Sequence, residues 1–331
     1  MPANAITLTV RGESVSIGDL FKEGGQELTH PPSAVAFGNF DGVHVGHRAL
    51  FAHLREVAQE QHLRVTALTF DPHPLQLLRP ELAPRALDTL AWRRHWLEQA
   101  GAAHVEVLRF DQELRLKSAE WFAEHILFRR LNAKILVVSD ESRFGHQGRG
   151  DRQLLEQMAP RFGVKILRCE AVVRSGTPVS SSRIRRLVAA GEVTLANEML
   201  ERRFALRGQV IHGDGRGRTI GFPTANLAVD SQVHPASGVY AGWLVRQLPG
   251  QPDQWRQPAV CNIGVRPTVD GTRHQIEAHV IDWQGDLYGQ SLSLHIEQRL
   301  RGERRFESIE RLQEQIARDR DRAQVILAET P

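Results

Sequence analysis

Cysteine is almost absent: the 331 residues hold two, Cys169 and Cys261. They lie far apart and form no CxxC pair, which excludes a zinc ribbon or dithiol redox site and predicts buried, reduced thiols. Long apolar runs are missing as well. None approaches the roughly 18 residues a membrane helix needs, and the N-terminus lacks the basic and apolar regions of a secretion signal. No membrane association is expected, and the cytoplasm is the expected compartment. The sequence pI is about 9.2 but the net charge is only +3, so small polyanions account for the basic excess as well as nucleic acid does. Internal repeats and low-complexity tracts are lacking too. What remains is a soluble globular composition, 41% hydrophobic and 24% charged, with length for two domains of ordinary size.

The two halves differ in texture. In the first, strand-like runs at 34–37, 63–70, 104–108, 134–139 and 164–168 alternate with helical patterns at 47–58, 90–100, 119–131 and 152–158. That alternation predicts a parallel, doubly wound sheet with right-handed crossovers. The segment 6–10 alternates like a strand that adds to the edge of this domain. Residues 187–203 read as a helical connection broken at Gly191. Beyond Phe204 the runs 204–211, 238–247, 257–263, 274–281 and 291–300 are separated by Gly, Pro and Asp, which predicts a small antiparallel barrel. Phe306, Ile309, Leu312 and Ile316 recur at helical spacing and predict an amphipathic helix packed on it.

The most informative stretch of the first half is GNFDGVHVGH at 38–47. A buried strand ends at Gly38, and a helix begins near His47. Gly38, Gly42 and Gly46 let the backbone turn and approach a ligand, while the first helical N–H groups point at whatever is bound. His44 and His47 are three apart, so on the first turn both imidazoles lie on one side and can donate to a polyphosphate. Asn39 and Asp41 belong to the same turn. The next strand runs into Asp71-Pro72-His73-Pro74, and its end places Asp71 and His73 at the edge where open α/β sheets bind ligands. The loop after Val138 carries Asp140 and Phe144 at that same edge. Later, Ser180, Ser181 and Ser182 precede a helix bearing Arg183 and Arg185. Hydroxyls, helix N–H groups and a guanidinium suit a second phosphate grip, while a Ser-capped basic helix is the equal alternative.

In the second half, HGDGRGRTIGFPTAN at 212–226 combines a glycine-rich loop with an oxygen-ligand cluster. Backbone N–H groups freed at Gly213, Gly215 and Gly217 can wrap phosphate oxygens, with Arg216 and Arg218 alongside. Thr224 and Asn226 offer hard oxygen ligands for Mg²⁺. Farther on, alternation puts Ile276, Ala278 and Val280 on one strand face and Gln275, Glu277 and His279 on the other.

Taken together, GNFDGVHVGH, FDPHP at 70–74, VSSSRIR at 179–185, the 212–226 string, GVY at 238–240, NIGVRPTV at 262–269 and IEAHVIDWQGDLYG at 276–289 resemble the bacterial bifunctional riboflavin kinase/FMN adenylyltransferase family over nearly the whole chain. The resemblance implies a Rossmann-like nucleotidyltransferase domain over 1–186, a linker over 187–203 and a riboflavin kinase-like barrel over 204–331. It implies that the barrel phosphorylates riboflavin with ATP to give FMN, and that the first domain adenylylates FMN to FAD and pyrophosphate. Each step would need Mg²⁺. It further implies that Glu277 is the base for the riboflavin hydroxyl, that Thr224 and Asn226 meet ATP and metal, and that His44, His47, the three serines, Arg183 and Arg185 handle phosphates. Asp71, His73, Asp140 and Phe144 would lie on the flavin side. Riboflavin, FMN and ATP are then the expected partners, and nucleic acid is not. The resemblance departs at Ser139 and Ser142, where the family usually shows Gly and an aromatic. A riboflavin kinase only, with a degenerate or differently specific first domain, and a basic nucleotide- or RNA-binding regulator without turnover, are the competing readings.

Overall fold

The computed structural model describes residues 14–21, 30–213, 215–268 and 271–330. These form two compact units. One runs to Pro84 and resumes over Leu90–Val172; the other takes Arg85–Thr89 and everything from Val173 onward.

The first unit is built on five parallel strands, β1 (Ser33–Phe37), β2 (Arg64–Asp71), β3 (His104–Arg109), β4 (Ala133–Val138) and β5 (Lys165–Arg168). Their order is β3-β2-β1-β4-β5, and β1 pairs in parallel with both β2 and β4. A strand in that position is covered on both faces, which explains why 34–37 is continuously apolar rather than alternating. Its residues still feed two different cores. Val35 joins Leu68, Leu136 and the residues Phe122, Ile126 and Leu127 of one layer; Ala34 and Ala36 join Ala67, Phe51, Leu54 and Leu97 of the other. The helices concerned are α1 (Val45–Glu60), α2 (Leu90–Gln99) and α3 (Phe122–Arg130), the last wound as a π-helix. The expected strand at 6–10 lies outside the described residues. Closer in, Val15 extends the sheet edge, donating its N–H to Val107 O and accepting from Arg109 N, each at 2.9 Å.

At the N-terminal ends of the strands sits a buried polar network. Glu106 accepts from Arg130 Nη2 at 2.7 Å and lies 2.9 Å from His104 Nε2, and Arg64 hydrogen-bonds His30 beside them. Burial alone would raise the Glu106 carboxyl, but the His104 hydrogen bond and Arg130 hold it at about 2. His30, His104 and Glu106 have the spacing of a metal cluster. Arg64 occupies the Nδ1 side of His30, and a second guanidinium shares Glu106, so the chemistry is that of a charge network rather than a cation site.

In the second unit, α4 (Ser181–Ala190) and α5 (Val193–Leu200) meet at Gly191, whose φ of 83° closes α4. A side chain at Gly191 would also press on Tyr240 Oη and Arg299 at about 3.1 and 3.0 Å. The barrel follows: β6 (Phe204–Ile211), β7 (Ala225–Ala228), β8 (Gly238–Arg246), β9 (Trp255–Thr268), β10 (Gly271–Val280) and β11 (Ser291–Arg301). It closes in the order β8-β9-β10-β7-β6-β11. Strand β7 is the addition to the sequence-based expectation, which read 223–226 only as ligand chemistry. The final helix α6 (Ile309–Ala328) packs Ala323 and Leu327 against Val239, Ala241 and Val260. Arg85–Thr89 straps the same unit. Asp88 takes Arg202 and Arg207, both at 2.6 Å, while Gln232 binds Leu87 O at 3.0 Å and receives the Arg207 N–H at 2.8 Å.

Candidate active sites

The C-terminal edge of the parallel sheet carries the first constellation. Strand β1 ends at Phe37 and the chain turns through Phe40 (φ 46°), Gly42 (φ 81°) and Val43 (φ 34°) before α1. Left-handed Phe40 and Val43 are strained positions, costing about 1–3 kcal/mol each. Packing holds them: Val43 is fully buried, and the Phe40 ring meets Phe51 and His47 edge-on at 5.4 and 5.2 Å. His44 occupies the N-cap of α1 and His47 the first turn, their rings stacked at 3.7 Å with an 18° tilt. Gly46 has a steric duty here, since a Cβ would sit 3.2 Å from the His44 ring. Asp41 and His44 are buried. After β2, His73 caps the short helix Pro74–Leu78, its Nδ1 accepting the Leu75 N–H at 3.2 Å, while Nε2 lies 3.2 Å from the Asn39 carboxamide. The loops after β1 and β2 are thereby joined through one side-chain pair.

The third loop at this edge, after β4, is otherwise engaged. Asp140 is exposed and paired with Arg152 at 2.9 Å and Arg168 at 2.7 Å. Ser139 and Ser142 bond each other through their hydroxyls at 3.0 Å. Phe144 is a core residue, its ring against Phe37 and Phe122 at 5.5 and 5.7 Å.

The second constellation lies on the outer face of the barrel. Register sets Glu277 opposite Asn226 of β7 on one side and Asn262 of β9 on the other, so the three form a row across three strands. As alternation predicts, Ile276, Ala278 and Val280 are buried, while Gln275, Glu277 and His279 line a cavity of about 860 Å³. Thr224 and Asn262 line it too, and α6 contributes Leu312, Ile316 and Asp319. Gln275 donates to Glu277 Oε1 at 2.9 Å, and His279 Nδ1 is 2.9 Å from Pro223 O. A second cavity of about 280 Å³ is lined by Arg218, Thr224, Trp283, Asp286 and Tyr288. Thr224 thus stands in the wall between the two. Asn226 is 9% exposed and lies against Gly213, where any Cβ would overlap its carboxamide; a Cβ on Gly217 would overlap the Phe222 carbonyl. These glycines let the 212–226 loop close onto β7. Gly215, at φ 72°, precedes the short helical turn Arg216–Thr219.

Residues 26–183 match the family described as FAD synthetase and residues 200–327 the one described as riboflavin kinase. The bifunctional riboflavin kinase/FMN adenylyltransferase of Escherichia coli is 39% identical over 289 residues, covering 86% of this chain and 90% of that protein. The chain belongs to the bifunctional riboflavin kinase/FMN adenylyltransferase family. The relative of the same name from Pseudomonas fluorescens is 38% identical over 301 residues, covering 90% and 94%. A solved structure described as a macrolide-efflux protein from Streptococcus pneumoniae matches with a TM-score of 0.79 at 28% identity, covering 90% of this chain and 96% of that one. No helix among the described residues is long and apolar enough to cross a membrane.

The FAD synthetase match ends at residue 183, inside α4, and so takes in Ser180 to Arg183 but not Arg185, although α4 packs with the second unit. Ser180 is the N-cap of α4, accepting the Arg183 N–H at 3.2 Å, with Ser181 and Ser182 in the first turn. The Arg183 guanidinium holds the ribbon at 173–178 through the carbonyls of Arg174 and Thr177 at 3.0 and 2.8 Å. Arg185 follows on the same helix. One residue at the sheet edge escaped sequence reasoning altogether: Arg93 of α2, only 6% exposed, donates to Asn39 O and Phe70 O at 3.3 and 2.9 Å.

Proposed function

We propose that this protein converts riboflavin to FAD in two ATP-dependent steps, the first on the barrel and the second on the parallel-sheet unit. The observation that carries the reading is Thr224 in a wall shared by two cavities, with Glu277 facing the larger one. A phosphoryl acceptor in the larger cavity and ATP in the smaller would meet at that wall. Glu277 takes the proton of the riboflavin 5′-hydroxyl, whose oxygen attacks the γ-phosphorus of ATP, and ADP leaves. Thr224 and Asn226 provide a hydroxyl and a carboxamide oxygen, hard donors that suit Mg²⁺, which when bound would neutralise phosphate charge. Gly213, Gly215, Gly217 and Arg218 complete the phosphate loop.

In the second step the FMN phosphate attacks the α-phosphorus of ATP and pyrophosphate leaves. FMN arrives as an anion, so the task is to gather and neutralise charge. The stacked His44 and His47, backed by Gly38, Asn39, Asp41 and Gly46, are the donors for the triphosphate. Ser180, Ser181, Ser182, Arg183 and Arg185 are the second phosphate grip that the resemblance implies, and Asp71, His73 and Asp140 form the flavin side, while Phe144 is packed in the core and supports its loop from within. On this reading the adenylyltransferase spans 1–186, a connection 187–203 and the kinase 204–331. A second reading, riboflavin kinase only with a degenerate or differently specific first unit, has one feature on its side, the engagement of Asp140 by Arg152 and Arg168, against a match to both families. A chromatographic time course with riboflavin, ATP and Mg²⁺ tests both. FMN followed by FAD supports the two-step reading; FMN accumulating alone supports the second.

A further inference from the structure

We propose that Arg93 positions the adenylyl-transfer site and that the polyphosphate of the substrate balances its charge, an inference that rests on the reading of that site given above. Four other arginines whose side chains are less than a fifth exposed have carboxylate partners: Arg130 has Glu106, Arg202 and Arg207 share Asp88, and Arg301 has Asp319. Arg93 does not. Among the described residues it bonds only neutral acceptors, through Nη1: Asn39 O at 3.3 Å, Phe70 O at 2.9 Å and Thr69 Oγ1 at 3.4 Å. Its Nε is buried without a partner among the described residues. It sits on the core-facing side of α2 with Trp92 and Leu97, where a cation is costly to keep.

The place of this charge gives it a purpose. Asn39 and Phe70 lie at the C-terminal ends of β1 and β2, the edge at which parallel sheets take anionic ligands. Thr69 is fully buried and donates to the same Asn39 carbonyl at 3.1 Å. By gripping both carbonyls, Arg93 sets the distance between the 38–44 turn and the 71–73 turn, and hence the 3.2 Å contact of Asn39 with His73. The backbone carbonyls offset part of the charge by their dipoles. A bound triphosphate supplies the rest, at low local dielectric and with little screening. Arg93 acts through Asn39 and through the field at the site, so it is a positioning residue.

Two variants separate charge from spacing. Arg93→Lys keeps the charge and loses the fork; Arg93→Gln loses the charge and keeps an NH₂ donor for the carbonyls. Steady-state kinetics are measured in both directions, FAD from FMN and ATP, and ATP from FAD and inorganic pyrophosphate, with riboflavin phosphorylation and the thermal midpoint as controls. For Arg93→Gln, KM for ATP and for pyrophosphate should each rise by about tenfold or more, the scale of one lost charge contact. Arg93→Lys should recover most of that loss, and riboflavin phosphorylation should not change in either. Unchanged KM values in Arg93→Gln, or a Lys variant no better than Gln, would overturn the proposal. Should the unaltered protein interconvert neither pair, the site reading itself fails, a result distinct from the failure of Arg93.

Discussion

Replacing Glu106 with Gln keeps the shape of the side chain and removes its charge from a site that is 8% exposed. Its folded pKa of about 2, against an ordinary 4.5, reflects partners that more than reverse the effect of burial. At about 1.36 kcal/mol per unit, that difference is worth about 3 kcal/mol of stability at neutral pH, near the lower end of the ~3–5 kcal/mol expected for breaking a buried pair. The sign follows from the depressed pKa. The contribution is fully present above pH 4.5 and is lost as pH falls towards 2, so the gap between Glu106→Gln and the unaltered protein should be widest at pH 7 and should close on acidification. Two units unfolding separately would blur a global melt. Hydrogen exchange read by mass spectrometry on peptides from β1, β2 and β3 reports on the right unit, where protection should fall by about two orders of magnitude in the variant at pH 7. Equal protection in both proteins, or a gap that stays constant down to pH 3, would refute the account.

Other outcomes follow from the same geometry. Burial, with Arg130, Arg64 and His104 nearby, lowers His30 to about 4 despite Glu106. The unfolded chain therefore takes up a proton between pH 6.5 and 4 that the folded one does not, and His30→Gln should abolish a destabilisation of about 3 kcal/mol across that window, seen by the same exchange measurement. Glu277→Gln should lower FMN formation by about 10²–10⁴ while sparing FAD formation from supplied FMN, measured chromatographically; equal loss of both would make Glu277 structural. His47→Ala should cost FAD formation about 10²-fold, on the scale of one lost transition-state donor, with riboflavin phosphorylation unchanged. Gly213→Ala forces a Cβ into the Asn226 carboxamide, and about 1–3 kcal/mol of overpacking should appear as slower FMN formation with FAD formation intact.

Much of this was legible in the residues. The uninterrupted run 34–37 announces a strand covered on both faces, and the alternation from Gln275 to Val280 separates core from cavity correctly. What escaped has physical causes. Strand β7 is four residues long, and Thr224 and Asn226 drew attention as ligands rather than as a ladder. Arg93 looks like any arginine on an exposed helix face, since nothing local says that α2 turns it inward; only the meeting of Asn39 and Phe70 does. Gly46, Gly213 and Gly217 read as anion-wrapping glycines, yet each also clears space for a particular neighbour, a reason that exists only once the chain is folded. Asp140 and Phe144 stand at the expected edge, but sequence could not foresee Arg152 and Arg168 on the first or the aromatic core around the second.

The strap at Arg85–Thr89 bears on how the two enzymes can be separated. A gene trimmed to begin after the connection at 203 would look like a complete barrel, yet it would omit Asp88 and Leu87. Arg207 would lose its buried carboxylate, and Gln232 one of the carbonyls it holds. The flavokinase half therefore carries a debt to sequence more than a hundred residues upstream, and an autonomous version would need either that peptide supplied in trans or a neutral residue at 207.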